Sequence, residues 1–130
     1  MEKIIIASGP VVVENGKALL NKYGEDDFWK FCDGEVKEDE DLRQTAIRRA
    51  KEELGIEIEI ADEKPFLMYV NKKVDGKETD IILVHWLSKR IGEPKASKEV
   101  EKTEWLDIDN LPEDIGPNVK PALRHFGFID

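Results

Sequence analysis

The sequence predicts a mixed α/β domain, and three observations carry that expectation. Short β-branched runs recur along most of the chain. One 14-residue stretch, 41–54, changes to helical periodicity among them. A second helical stretch closes the chain at 118–127. Strands need alternation or short apolar runs, whereas an amphipathic helix repeats its apolar positions every three or four residues.

The elements follow in order. Residues 3–13 (KIIIASGPVVV) are apolar and β-branched, with Gly9-Pro10 expected to bulge or break the strand. Asn15-Gly16 is a hairpin signal, and 17–22 is the returning strand. Residues 24–27 read as a turn and 28–32 as a short strand. From Asp41 to Leu54 the apolar residues are Leu42, Ala46, Ile47, Ala50 and Leu54, one stripe of a helix. Asp41 and Gln44 have the spacing of a capping box, and Gly55 stands where a helix ends in the left-handed region. Strands are expected again at 56–60, 66–72 and 79–88, the last two joined through Asp75-Gly76. Residues 91–98 read as a loop, 101–107 as a strand, 110–117 as irregular and 118–127 as the closing helix. No repeat or linker divides the 130 residues, so one domain over 1–130 is expected. Strand order does not follow from the pattern.

Composition narrows the function. The net charge of −9 repels a phosphate backbone, which argues against general nucleic-acid binding. A small phosphorylated ligand stays compatible, because a divalent cation can mediate between acidic protein and acidic ligand. The single cysteine, Cys32, allows no intrachain disulfide and suits a reducing compartment, so a cytoplasmic location is expected. No apolar run approaches the roughly 20 residues that span a bilayer, and the amino-terminal apolar run reads as a strand, not a signal peptide. No membrane partner is expected. A homodimer is the expectation set by ordinary protein symmetry.

The chemistry concentrates in Gly34 to Ile56, GEVKEDEDLRQTAIRRAKEELGI. Arg48, Arg49, Glu52 and Glu53 cluster on one flank of the apolar stripe. Such i,i+4 pairs are ordinarily a solvated face worth a few tenths of a kcal/mol each. Glutamates at a buried edge can also supply the hard oxygen ligands that Mg²⁺ prefers.

The spacing resembles the Nudix signature, G-x5-E-x7-R-E-U-x-E-E-x-G-U, with U an aliphatic residue. Gly34, Glu40, Arg48, Glu52, Glu53, Gly55 and Ile56 fall in register, with Ala50 at the first U. The flanks extend the likeness: Phe28-Trp29-Lys30-Phe31 before the glycine turn, and Glu99 to Trp105 as an acidic strand ending in Trp. The resemblance implies an α/β/α sandwich around a mixed sheet. It also implies an enzyme that uses Mg²⁺ or Mn²⁺ to cleave the pyrophosphate bond of a nucleoside diphosphate linked to another moiety.

Residue by residue, the resemblance makes Glu52 and Glu53 metal ligands and catalytic, with the carbonyl of Asp33 a further ligand. Arg48 would orient the glutamates. Gly34 would allow the tight turn, Glu40 would support the helix start or an outer metal, and Gly55 would end the helix. Glu99 and Glu101 are the candidates for the catalytic base, with solvent-facing strand charges as the plainer reading. Phe28 and Trp29 are candidates for stacking on a base, with packing as the plainer reading. His85, His125 and Cys32 are expected to be structural.

One departure is prominent. The signature has Glu directly after its Arg, and this chain has Arg49. The turn also reads Cys32-Asp33-Gly34 where Pro-Gly-Gly is common. Arg49 could pair with Glu53 or contact a substrate phosphate. A nucleotide-binding module with weak or lost catalysis is therefore the alternative to the hydrolase, and a generic acidic interaction domain is the third reading. The nucleotide itself cannot be named from the sequence.

Overall fold

A computed structural model describes residues 3–23, 28–98 and 100–130. Two sheets and two helices make up this part of the chain. In the first sheet β1 (Lys3–Val11) runs parallel to β8 (Lys77–Ile91), pairing Lys3 with Thr79 through to Val11 with Leu87. β8 is long enough to hold two further antiparallel partners, β7 (Phe66–Val74) and, near its end, β6 (Glu57–Ile60). The short β5 (Gly34–Glu35) pairs with Ala7 and Ser8 on the outer edge of β1. One parallel pair among antiparallel ones makes this a mixed sheet. The second sheet is antiparallel: β3 (Lys17–Lys22) lies between β9 (Lys102–Asp107) and the small strands β2 (Val13–Glu14) and β4 (Trp29–Lys30).

The turns follow local chemistry. Asn15 and Gly16 have φ 52° and 74°, and Asp75 and Gly76 have 53° and 77°. Two successive positive φ values are what a two-residue hairpin of right-handed twist requires, and Asn-Gly and Asp-Gly tolerate them best.

The expected break at Gly9-Pro10 does not occur; β1 runs through it to Val11. The reason lies in the edges. Ile6 accepts from the Val36 N–H on the β5 side, so even-numbered residues of β1 aim their backbone groups at that edge. β5 stops at Ala7 and Ser8. Pro10 therefore lacks an N–H where no ladder bond was due. Gly9 has a separate reason: a Cβ there would sit 1.8 Å from the Cys32 carbonyl oxygen. The bare backbone at Gly9 lets the 32–33 loop lie directly on the sheet.

The helices cover two different faces. α1 (Leu42–Arg49) starts at the expected capping box: the Gln44 N–H donates to Asp41 Oδ1 and the Asp41 N–H donates to Gln44 Oε1, both at 2.8 Å. Its expected continuation to Leu54 is not α-helical. Ala50–Leu54 forms one π-helical turn, closed by Gly55 at φ 66°. π turns are rare and gather at functional sites. α2 (Val119–His125) is shorter than the expected 118–127. β4 covers only two residues of the expected 28–32 strand, and the expected turn at 24–27 lies outside the described residues.

Neighbouring residues of each strand divide between the two helices. Val12, Leu19, Cys32, Val84 and Trp86 pack with Ala46, Ala50 and Leu54 of the first helix and its π turn. Val11, Ala18, Leu20 and Phe31 pack with Val119, Ala122 and Leu123 of α2. Alternation along a strand sends successive side chains to opposite faces. The result is an α/β/α arrangement with the helices on opposite sides. Cys32 is buried, in keeping with a packing role.

Candidate active site

Three elements place the charged residues of the 34–56 segment. The 32–33 loop is pressed onto Gly9, β5 hangs on β1, and α1 with its π turn lies across them. Glu40, Arg48, Arg49, Glu52 and Glu53 meet on this surface together with the Asp33 and Glu35 carbonyls. The cluster has an outer and an inner half.

In the outer half Arg48 is the hub. Its Nε and Nη2 donate to the two oxygens of Glu40 at 2.6 and 3.0 Å, a bidentate pair. Its Nη1 donates to Glu52 Oε1 at 2.6 Å, and Nη2 also reaches the Glu35 carbonyl at 3.1 Å. Glu40 in turn accepts from Thr45 Oγ1 at 2.9 Å and the Lys37 N–H at 3.2 Å. These donors, Arg48 first, hold the Glu40 carboxyl down at about 2. Arg48 is held charged by its bonds to Glu40. The carboxyl of Glu52 is pushed up by burial, but Arg48 and Arg49 together outweigh that and leave it lowered.

In the inner half the central group is Glu53, a carboxyl with no exposed surface. Its Oε1 accepts from Arg49 Nε at 3.1 Å and from Arg49 Nη2. Its Oε2 accepts from Asn21 Nδ2 at 3.2 Å and from the Tyr23 hydroxyl. Thr103 Oγ1 donates to Asn21 Oδ1 at 2.9 Å and fixes the amide so that its NH₂ faces the carboxylate. Burial raises the Glu53 carboxyl above its ordinary value, although Tyr23 and Arg49 both oppose the shift. Burial, with the Glu53 charge beside it, raises the Tyr23 phenol as well. A buried carboxylate needs its lone pairs filled, and here both oxygens are.

Arg49 closes the cluster. Besides Glu53 it donates from Nε to the Asp33 carbonyl at 3.2 Å and from Nη1 to Glu52 Oε1 at 3.2 Å. Its stem crosses Gly34, where a Cβ would come within 2.4 Å of Arg49 Cδ. The guanidinium thus stands among Glu52, Glu53 and the Asp33 carbonyl, the three donors that the family resemblance assigns to a metal. Glu52 Oε1, Glu53 Oε1 and the Asp33 carbonyl each accept from the Arg49 guanidinium, and Glu53 Oε2 is filled by Asn21 and Tyr23. Among the described residues no group of three or more His, Cys, Asp or Glu is disposed to hold a metal ion. The side chains as placed do not fit a resident divalent cation.

The remaining candidates lie around this cluster. The Asp33 carboxylate has Oδ2 3.4 Å from Nε2 of the fully buried His85, so His85 packs under the loop. Gly55 ends the π turn. The Ser97 N–H donates to the Glu53 carbonyl and the Lys95 N–H to that of Leu54, which ties the 95–97 segment to the π turn. Glu101 is exposed at the foot of β9, with its N–H on the Lys22 carbonyl. Glu99 lies outside the described residues. Trp29 is half-buried against the α2 side; its N–H donates to the Asp114 carbonyl, and its own carbonyl accepts from Gly116. Phe28 is half-buried beside it, with Lys30 Nζ 5.7 Å from its ring centre. Asn21, Tyr23 and Thr103 belong to the site and were missed in the sequence. An Asn within the apolar run of β3 was the one local signal.

Comparison with known proteins identifies the family and the fold. The family model described as NUDIX domain matches residues 6–126. The m7GpppN-mRNA hydrolase of Saccharomyces cerevisiae is 28% identical over 113 residues, which cover 85% of this chain and 11% of that protein. The chain thus spans about a tenth of that relative's length. A MutT NUDIX hydrolase structure from Burkholderia pseudomallei superposes with a TM-score of 0.74 at 24% identity, covering 95% of this chain and 98% of the other. The MutT protein of Methanosarcina mazei Go1 gives 0.73 at 22% identity, covering 96% and 94%. Both structures share the fold.

Proposed function

This chain belongs to the NUDIX family, and we propose that it hydrolyses the pyrophosphate bond of a nucleoside diphosphate linked to another moiety. Family membership supports pyrophosphate hydrolysis as the general reaction. The observation that carries the assignment to this surface is the convergence of Arg48, Arg49, Glu52 and Glu53 with the Asp33 and Glu35 carbonyls.

In the reaction, water adds to one phosphorus, the bridging P–O bond breaks, and the proton of the water passes to a base. The chain's own residues have separate parts in it. Arg48 presents positive charge at the rim, where a diphosphate brings negative charge and where charge builds during attack, while Arg49 is turned inward onto Glu53 and Glu52. Glu40 anchors Arg48, so the guanidinium is held before the substrate arrives. Glu52 is the most exposed carboxylate of the cluster, at 41% of its side chain, and can hold a water or accept its proton. Glu99 and Glu101 are the other candidates for that role, by their place in the sequence. Phe28 and Trp29 are the aromatic residues proposed to lie against the base. The family generally works with Mg²⁺ or Mn²⁺, but the side chains here do not fit a resident ion, so none of these parts depends on one.

A second reading has a specific observation in its favour. Both oxygens of Glu53 are engaged, and Arg49 neutralises it. A site so satisfied can bind a nucleotide without turning it over. A panel of nucleoside diphosphate derivatives with Mg²⁺, Mn²⁺ or chelator separates the two readings, with phosphate, pyrophosphate and nucleoside monophosphate as readouts. Turnover that Glu53→Gln silences supports the hydrolase. Nucleotide binding without turnover under every condition supports the binding module.

A further inference from the structure

We propose that the Arg49 guanidinium is a built-in cation that takes the place of a bound metal ion, so that the acidic cluster is assembled and charge-balanced by the chain alone. The inference rests on side-chain geometry and stands whether or not the chain proves to be a hydrolase.

Four contacts carry it. From one side chain, three nitrogens reach three separate acceptors: Glu53 Oε1, Glu52 Oε1 and the Asp33 carbonyl. These acceptors come from two places in the chain, the 32–33 loop and the π turn, and one centre of positive charge joins them. That is the structural work of a metal ion: to bring oxygen donors from different segments together and cancel their repulsion. The fit is specific to arginine. A planar fork can address several oxygens at once, which a single ammonium cannot do in the same geometry. Gly34 completes the device, because its missing Cβ leaves the room the Arg49 stem occupies. The guanidinium side chain is 16% exposed and the Glu53 side chain 1%, so solvent screens the pair little. A hard cation entering here has to displace a charge-assisted network and then meet a fixed positive charge a few ångströms away.

The consequence is an inverted metal dependence. The wild-type cluster needs no divalent ion to form and resists one. Replacing Arg49 by an acid changes the local charge by two units and leaves four oxygen donors, Glu52, Glu53, the new carboxylate and the Asp33 carbonyl, with nothing between them.

The test is to titrate Mn²⁺ into wild type, Arg49→Glu and Arg49→Gln, reading bound ion by electron paramagnetic resonance and unfolding midpoint with and without chelator. Wild type should bind Mn²⁺ more weakly than about 1 mM at this locus, with a midpoint that neither chelator nor Mn²⁺ moves. Arg49→Glu should bind at least about 100-fold more tightly. Its midpoint should fall by roughly 10 °C in chelator and recover with Mn²⁺. Arg49→Gln keeps a neutral polar side chain, serves if Arg49→Glu does not fold, and should show a smaller gain in the same direction. Wild-type binding in the micromolar range that Glu53→Gln removes would overturn the proposal. So would Arg49 variants that bind Mn²⁺ no better than wild type.

Discussion

The two helices flank one fold and do different work. α2 meets the sheets through Val119, Ala122 and Leu123 against Val11, Leu20 and Phe31, an apolar cluster. α1 begins in the same way, with Ala46 and Ala50 on Val12, Leu19 and Trp86. Its last turn then opens into a π turn and buries a carboxylate among charged and polar partners. Burial on the α2 side stabilises by area, about 25 cal/mol per Å² of apolar surface. Burial of Glu53 is costly unless each oxygen is bonded, and removing one partner of such a pair costs about 3–5 kcal/mol. The α2 face can therefore tolerate a change of shape, whereas the α1 end depends on every partner being present.

That contrast can be broken from either side. The largest loss of stability is expected from Leu123→Ala on the α2 face, about 2–5 kcal/mol from lost transfer and the cavity left behind. Chemical denaturation should show it, while turnover per folded molecule stays at the wild-type level. Glu53→Gln should act on both. The amide keeps the shape, but it turns one acceptor oxygen into a donor and removes the charge that Arg49 faces, so the unfolding midpoint falls as well. Turnover should fall by at least about 100-fold as Arg49 and the π turn lose their position, with KM less affected.

A smaller effect is expected in the outer half of the cluster. Arg48→Lys keeps the charge but cannot hold both oxygens of Glu40 while also bonding Glu52 and the Glu35 carbonyl. Turnover should drop roughly tenfold through poorer positioning, and Arg48→Met should drop it further.

The smallest effect is a pH dependence. Glu40 ionises at about 2 in the folded chain against an ordinary 4.5. A carboxyl lowered on folding contributes stability that is fully present above its unfolded value and is lost as pH falls through the folded one. Part of the acid unfolding between about 4.5 and 2 should therefore disappear in Glu40→Gln. Equal acid profiles for the two proteins would show that Arg48 does not hold that carboxyl down.

Much of this was legible in the sequence because it is local. The Asn15-Gly16 and Asp75-Gly76 turns, the Asp41–Gln44 capping box and the ending at Gly55 depend on residues a few positions apart. The glutamates and arginines of the cluster were legible for the same reason, sharing one helix. What was hidden is non-local. Asn21 and Tyr23 reach Glu53 from 30 or more residues away, and Thr103 reaches Asn21 from 82 away because β3 pairs with β9 in one register. Gly9-Pro10 looked like a break because its two justifications, the 32–33 loop above Gly9 and the open edge beside Pro10, lie in other parts of the chain. The π turn was hidden because its sequence, AKEEL, has ordinary helix formers. Arg49 was visible as a departure, but its direction was not: one side chain could face the carboxylates or a ligand, and its contacts decide that it faces the carboxylates.

The central claim, that Arg49 itself balances the buried acidic cluster, is tested most directly at its own Nε–H. A ¹⁵N–¹H spectrum of arginine side chains, assigned through Arg49→Lys, should show the Arg49 Nε–H protected from exchange in the metal-free protein. Its position should stay unchanged as Mg²⁺ is raised into the millimolar range. The hydrogen bonds to Glu53 and the Asp33 carbonyl predict that protection. An Nε–H that exchanges freely without metal, or that shifts at micromolar Mg²⁺, would contradict it and return the cluster to a metal ion.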